Sequence, residues 1–246
     1  MKKVHVAFAN DKFLKSLNIL EESSLNVGDI DLFIRYGPED LRKSNFYEEN
    51  KSILNETLGA GYWIWKPFII LETMKHLEDV DIVLYTDAGM KVLSSLNPLF
   101  EIVQTAKDNR MLFAESWFYG SHLHSQYTKR DCFILMGLDS PEYWEERCLS
   151  AAFHVWVKTQ KNIDFLQEWL GYLQDRRVVT YDSNVCGEPN LPDYIDHRHD
   201  QAVLSLLSLK HGRELYRAPS QFTNNEIGDY PNSPYGQLFY HHGGAI

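Results

Sequence analysis

The chain has 246 residues, 44% of them hydrophobic and 24% charged, with a formal net charge of -10. That length fits one ordinary α/β domain and is enough to bury a sizeable core without covalent staples. The acidic balance argues against general nucleic-acid binding, which needs a basic footprint, and against broad adhesion to an anionic membrane.

Residues 4–9 read as a first buried strand, and Asn10-Asp11 is placed to cap a helix running to about Glu22. A second strand is expected at 31–36, closed by Gly37-Pro38. Residues 45–58 look helical until Gly59-Ala60-Gly61 breaks the pattern. Pro67 suits the first turn of the next helix. Residues 82–85 form a short β-favouring run ending at Asp87. Asn97-Pro98 starts a helix to about Asn109, followed by a strand at 111–114. Thr128-Lys129-Arg130-Asp131 fits a capping box. Residues 151–157 alternate like a strand, whereas 163–173 and 200–210 carry helical periodicity. The tail from Ala218, rich in Pro, Asn, Gly and aromatics, reads as ordered loop. Strands and helices alternate through the first half, so the expected fold is α/β: a mostly parallel sheet with helices on both faces. No repeat, low-complexity tract or linker divides the chain, and residues 1–246 are expected to form a single domain.

Cys132, Cys148 and Cys186, odd in number and without a CxxC pair, read as reduced thiols of a cytoplasmic protein. The apolar run after Met1-Lys2-Lys3 is too short for an export signal, and nothing approaches the roughly 18 apolar residues of a membrane span. A membrane-linked substrate would be reached peripherally, from the inner face.

Three stretches carry candidate chemistry. Asp87 follows a hydrophobic strand and precedes Ala88 and Gly89, which let another group approach the backbone. An acid opening a turn is the plain reading; an acid outside the carboxyl end of a sheet strand can also hold a cation against a phosphate. Lys66 follows a glycine-rich, aromatic segment and stands at a helix N-terminus, where a cation opposes the dipole unless an anion binds there. Asp200 suits a helix N-cap or first turn, and beside His199 it could instead orient or deprotonate a hydroxyl; the helix N-terminus is expected to depress its pKa. Tyr240-His241-His242 reads as a docked C-terminal segment whose histidine could complete a metal site begun by Asp87. There is no GxGxxG after the first strand, and no GxxxxGK[ST], GxSxG or HExxH, so dinucleotide redox, P-loop and serine-hydrolase chemistry lose support.

Taken together, Gly-Ala-Gly-Tyr-Trp-Ile-Trp-Lys-Pro at 59–67, Leu-Tyr-Thr-Asp-Ala-Gly at 84–89, Thr-Lys-Arg-Asp at 128–131 and His-Arg-His-Asp-Gln at 197–201 resemble small nucleotide-sugar-dependent glycosyltransferases of the GT-A (Rossmann-like) fold, of the kind that build bacterial and viral surface glycans. The resemblance implies a transferase, of the hexosyl or deoxyhexosyl class, using a nucleoside-diphosphate sugar such as a UDP-sugar in polysaccharide biosynthesis. Its acceptor would be a glycan or lipid-linked hydroxyl. The resemblance implies that Ala9, Asn10, Lys66, Thr86, Asp87, Ala88 and Gly89 bind the donor. It implies that Asp87 and His242 hold Mn²⁺ or Mg²⁺, and that Asp200 is the catalytic carboxylate if the reaction inverts. Trp117, Tyr119 and His122 are the residues on which an acceptor sugar could stack. The chain departs from the family's DxD motif, because Tyr85 and Gly89 stand two residues either side of Asp87. Two other readings remain at this level: a non-catalytic nucleotide-sugar or glycan-binding protein, and an aspartate-nucleophile phosphatase, which would want a second acid where Gly89 stands.

Overall fold

The structure is a computed structural model that describes residues 1–106, 111–115, 122–223 and 230–244. Its strands are β1 (Lys3–Phe8), β2 (Leu32–Tyr36), β3 (Ile82–Thr86), β4 (Met90–Val92), β5 (Met111–Glu115), β6 (Leu149–Val157), β7 (Leu215–Tyr216) and β8 (Phe239–His241). A six-stranded sheet has the order β2-β1-β3-β6-β5-β7, and β4 pairs with β8 in a separate two-stranded ribbon. Within the large sheet, β1 is parallel to β2 and β3, and β5 is parallel to β7. Only β6 runs the other way, antiparallel to both β3 and β5.

Both faces of the sheet are covered, as a mostly parallel sheet requires. Strand alternation sends Val4, Val6, Phe8, Val83, Tyr85 and Phe113 to one face. There they pack on the helices Trp65–Met74, Arg130–Met136, Gln160–Leu173 and His199–Lys210. Ala7, Ile82, Leu84, Leu112 and Val155 face the opposite way, onto the helices Leu14–Val27 and Asn97–Thr105. With both sides apolar, the strands read as continuous hydrophobic runs, which is why the sequence marks them clearly but not their direction.

Several local expectations are corrected. A 3-10 turn, Asp11–Phe13, precedes the helix Leu14–Val27, and the Asn10 side chain does not cap it. The helix expected over 45–58 is broken into Asn45–Glu49 and Lys51–Leu54. The capping box at 128–131 does not form: Lys129 is the N-cap, and Asp131 instead accepts from the backbone N–H groups of Val185 and Cys186 at 2.7 and 3.1 Å. Pro67 is the third residue of its helix, within the first turn as expected. Among the described residues, no helix is long and apolar enough to cross a membrane.

The glycine-rich segment is a left-handed turn. Residues 59–63 all have positive φ, at 58, 51, 96, 52 and 59°. Gly61 is required there, since a Cβ would lie 2.6 Å from Leu54 Cα. Ala60, Tyr62 and Trp63 adopt the same conformation at a cost of roughly 1–2 kcal/mol each. Strain of this kind persists where surrounding packing over-determines it, commonly at functional sites. Here Trp65 stacks on Phe8 with ring centroids 4.0 Å apart and donates its indole N–H to Gly59 O at 2.9 Å.

Candidate active site

Neighbouring parallel strands β1 and β3 end side by side, which brings residues 9–10 and Asp87 to the same edge of the sheet. Two clefts open there. The outer one, about 500 Å³, is lined by Phe8, Ala9, Asn10, Phe13 and Trp65 and by Lys12, Ala88, Gly89 and Gly243. The inner one, about 290 Å³, is lined by Lys66, Ser150 to Ala152, Tyr181 and residues 197–201. Leu58, Trp63, Asp87 and His241 belong to both and form the junction.

At the centre of the inner cleft is an ionic triad. The Lys66 ammonium, only 3% exposed, lies 2.8 Å from Oδ2 of Asp200 and 3.4 Å from Oδ1 of Asp87. It also donates to Ala151 O at 3.0 Å. Lys66 is thus a counterion for two carboxylates 113 residues apart in sequence, and this resolves its conflict with the helix dipole without an external anion. Burial opposes its charge, but Asp200 and Asp87 outweigh burial, and its pKa is raised.

Asp200 lies in the first turn of its helix and is 5% exposed. Burial pushes its carboxyl up to about 6 against the pull of Lys66. The sequence-based expectation of a depressed pKa is therefore corrected: desolvation outweighs both the helix terminus and the ammonium. Asp87 is more open, its side chain 34% exposed, and its Oδ1 also accepts the Tyr85 hydroxyl at 2.6 Å. Beneath it, Tyr85 stacks on His154 with centroids 4.7 Å apart. Burial drives the His154 pKa well below the usual histidine value, so that ring stays neutral under the triad.

Other expected residues fall differently. Thr86 points away from the clefts, fully buried, with its hydroxyl 2.9 Å from His5 Nε2; strand alternation turns it opposite to Tyr85 and Asp87. His241, rather than His242, lines both clefts beside Asp87. Alternation in β8 again decides it, since Phe239 and His241 face inward past exposed Tyr240. Burial lowers the pKa of His241 although Asp87 draws it upward, leaving a neutral imidazole at pH 7. His242 packs toward Tyr240 and its Nδ1 accepts from Gly244 N–H at 3.2 Å. His122 is buried and stacked on Tyr127, centroids 4.3 Å apart, and does not line either cleft. Trp117 and Tyr119 lie outside the described residues. Lys12, Phe13, Tyr181 and Arg198, not singled out from the sequence as this site's residues or only as neighbours of a motif, complete its walls, and buried Tyr85 supports Asp87 from below.

The absence of an acid at position 89 has a steric cause. The C-terminal segment docks on this loop, with the N–H groups of His242 and Gly243 donating to Gly89 O at 2.9 and 3.1 Å. A Cβ at Gly89 would meet Gly244 N at 3.0 Å and Gly243 backbone carbons at 3.1 Å. Gly89→Ala is expected to push the C-terminal segment off its seat and cost roughly 1–3 kcal/mol. Urea denaturation checks this, and an unchanged midpoint would show that the segment yields without strain.

Among the described residues, no three His, Cys, Asp or Glu side chains converge as a preformed metal centre. Asp87 and His241 nonetheless share the junction, and the contacts of Asp87 with Tyr85 and Lys66 both fall on Oδ1. One carboxylate and one neutral imidazole fit a hard divalent ion that keeps waters and substrate phosphate oxygens as its remaining ligands.

No protein-family model and no curated protein matches the chain. Among solved structures, mouse xyloside xylosyltransferase 1 in its apo form superposes with a TM-score of 0.52 at 10% identity, covering 98% of this chain and 96% of that one. The galactosyltransferase LgtC, solved with donor and acceptor sugar analogues, aligns at 17% identity over 98% and 87% of the two chains, with a TM-score of 0.48. The first likeness spans nearly all of both chains, and with the sheet order described above it assigns this protein the GT-A-like fold of glycosyltransferases.

Proposed function

We propose that the protein transfers a sugar from a nucleoside-diphosphate sugar to a hydroxyl of a glycan or lipid-linked acceptor. The observation that carries this reading is the meeting of two unlike clefts at Asp87. The outer, aromatic cleft suits a nucleoside, with Asn10 and Lys12 on its wall and Phe8, Phe13 and Trp65 as apolar surfaces. The inner, polar cleft suits a sugar ring over the triad. A diphosphate joining the two would lie at the junction.

Charge bookkeeping explains what the junction must supply. Two carboxylates and one ammonium leave the triad with one net negative charge, so it does not welcome a diphosphate by itself. A magnesium or manganese ion held by Asp87 and His241 would supply that charge and stabilise the leaving phosphate. The chain's own residues have separate tasks. Lys66 holds Asp87 and Asp200 in register, Tyr85 fixes the orientation of Asp87, and Asp200 presents a carboxylate oxygen to the sugar or the incoming hydroxyl.

The test is a thermal-shift panel of UDP, GDP, CDP and ADP, each with and without Mn²⁺. At a hundredfold excess over Kd, the binding nucleotide should raise Tm by roughly 5–10 °C. The rise should be larger with the cation. If no nucleoside diphosphate stabilises the protein under either condition, the proposal falls. Stabilisation without turnover of any sugar nucleotide would instead identify a binding protein.

A further inference from the structure

The inner cleft extends beyond the triad to a wall formed by Tyr181, His199 and Trp63. His199 opens its helix with φ of 49° and is 3% exposed. Its Nδ1 lies 2.7 Å from Val179 O. A carbonyl only accepts, so Nδ1 carries the proton and Nε2 presents a lone pair. That Nε2 is buried without a hydrogen-bond partner among the described residues. A buried acceptor left unpaired is destabilising, and a ligand that donates to it supplies the missing hydrogen bond. Burial also holds the ring's pKa down at about 4, so it is a neutral acceptor at pH 7.

The surroundings narrow the ligand. Tyr181 meets the His199 ring edge-on, centroids 4.4 Å apart, and is 51% exposed, so its aromatic surface is open to solvent. Trp63 lies 5.9 Å from the same ring. Aromatic surface beside a buried hydrogen-bond acceptor matches a molecule with an apolar C–H face and hydroxyl groups on its edge, which is the chemistry of a pyranose. Arg198 also lines the cleft, but its guanidinium sits over the Tyr127 ring at 5.1 Å and faces Asp196 at 3.9 Å. Its charge is already answered, which favours a neutral sugar over an acidic one.

Building on the proposed transferase reading, we infer that Tyr181 and His199 form the acceptor subsite, binding a neutral pyranose whose hydroxyl donates to Nε2 of His199. His199 precedes Asp200 in the chain and both line the inner cleft, so a sugar seated on His199 occupies the same cleft as that carboxylate. Of the acceptor residues expected from the sequence, His122 does not line this cleft, and Trp117 and Tyr119 lie outside the described residues.

Saturation-transfer NMR with a set of methyl α- and β-hexopyranosides tests the inference, recorded with and without the nucleoside diphosphate that most raises Tm. Ring protons of at least one pyranoside should receive saturation from the wild type. Tyr181→Ala and His199→Phe should each weaken that contact roughly tenfold, the loss of about one hydrogen bond or stacking surface. Nucleotide signals should be unchanged in both variants. Tyr181 is exposed, so its variant remains informative even if His199→Phe folds poorly. Undiminished pyranoside signals in Tyr181→Ala would overturn the subsite. So would a wild type that contacts no pyranoside. Loss of nucleotide binding in the wild type is a separate result, and it strikes the proposed function rather than this wall of the cleft.

Discussion

Asp87→Asn should lower sugar transfer by about 10²–10³-fold, the scale set by losing one group that stabilises developing charge in a site. The fold should survive. Asp87 is anchored through its backbone, whose N–H donates to Ala152 O at 2.9 Å. An amide oxygen can still accept the Tyr85 hydroxyl, and Lys66 keeps Asp200 at 2.8 Å and Ala151 O at 3.0 Å. What disappears is the negative charge at the junction, and with it the hold on a cation beside His241. Steady-state turnover of the stabilising sugar nucleotide, measured beside Tm and nucleotide Kd, separates the two effects. The expected pattern is a collapsed kcat, weakened cation-dependent nucleotide binding and a Tm within a few degrees of the wild type. Ordinary turnover would remove Asp87 from the chemistry.

Much of this centre was legible in the chain, and the parts that were not share physical causes. A hydrophobic run ending in a lone acid marked Asp87, and a lysine at the wrong end of a helix dipole marked Lys66. The same period-two alternation that identified the strands also places Thr86 opposite Asp87 and His241 alongside Phe239. Applied residue by residue, it would have separated those side chains from the sequence. Other features are tertiary. The antiparallel β6 between β3 and β5 is buried on both faces, so its composition resembles that of any parallel strand. Asp200 meets Lys66 only because the helix His199–Lys210 packs beside β6, a contact no local pattern encodes. The reason for Gly89 is likewise remote: the C-terminal segment occupies the space a side chain would need. The left-handed turn at 59–63 includes three residues with side chains that disfavour it, and propensity points away from what packing enforces.

Lys66→Met is the substitution with the largest expected effect on stability. It leaves Asp200 buried with Asp87 nearby and no ammonium between them. Breaking a buried pair by removing one partner costs about 3–5 kcal/mol, hence a Tm lower by roughly 6–20 °C in a protein of this size. The pH dependence carries the diagnosis. In the wild type, burial raises the Asp200 pKa from 3.8 to about 6, so the folded state binds that proton more tightly than the unfolded chain. The stability from that proton is present at low pH and lost as pH rises through 6. Lys66, whose pKa is raised above 10.5, contributes stability across the neutral range that is lost only as pH rises through its folded value. Without the ammonium, Asp200 loses its main ionising influence and moves higher still. The deficit of Lys66→Met should therefore be large at pH 8 and shrink toward pH 5, where Asp200 becomes neutral. Adding Asp200→Asn should restore most of the stability at pH 8 but none of the activity. Urea unfolding of the wild type, the single variant and the double variant at both pH values decides it. A deficit independent of pH, or one that Asp200→Asn leaves in place, would mean that Lys66 serves as packing and not as the counterion that holds two carboxylates in one site.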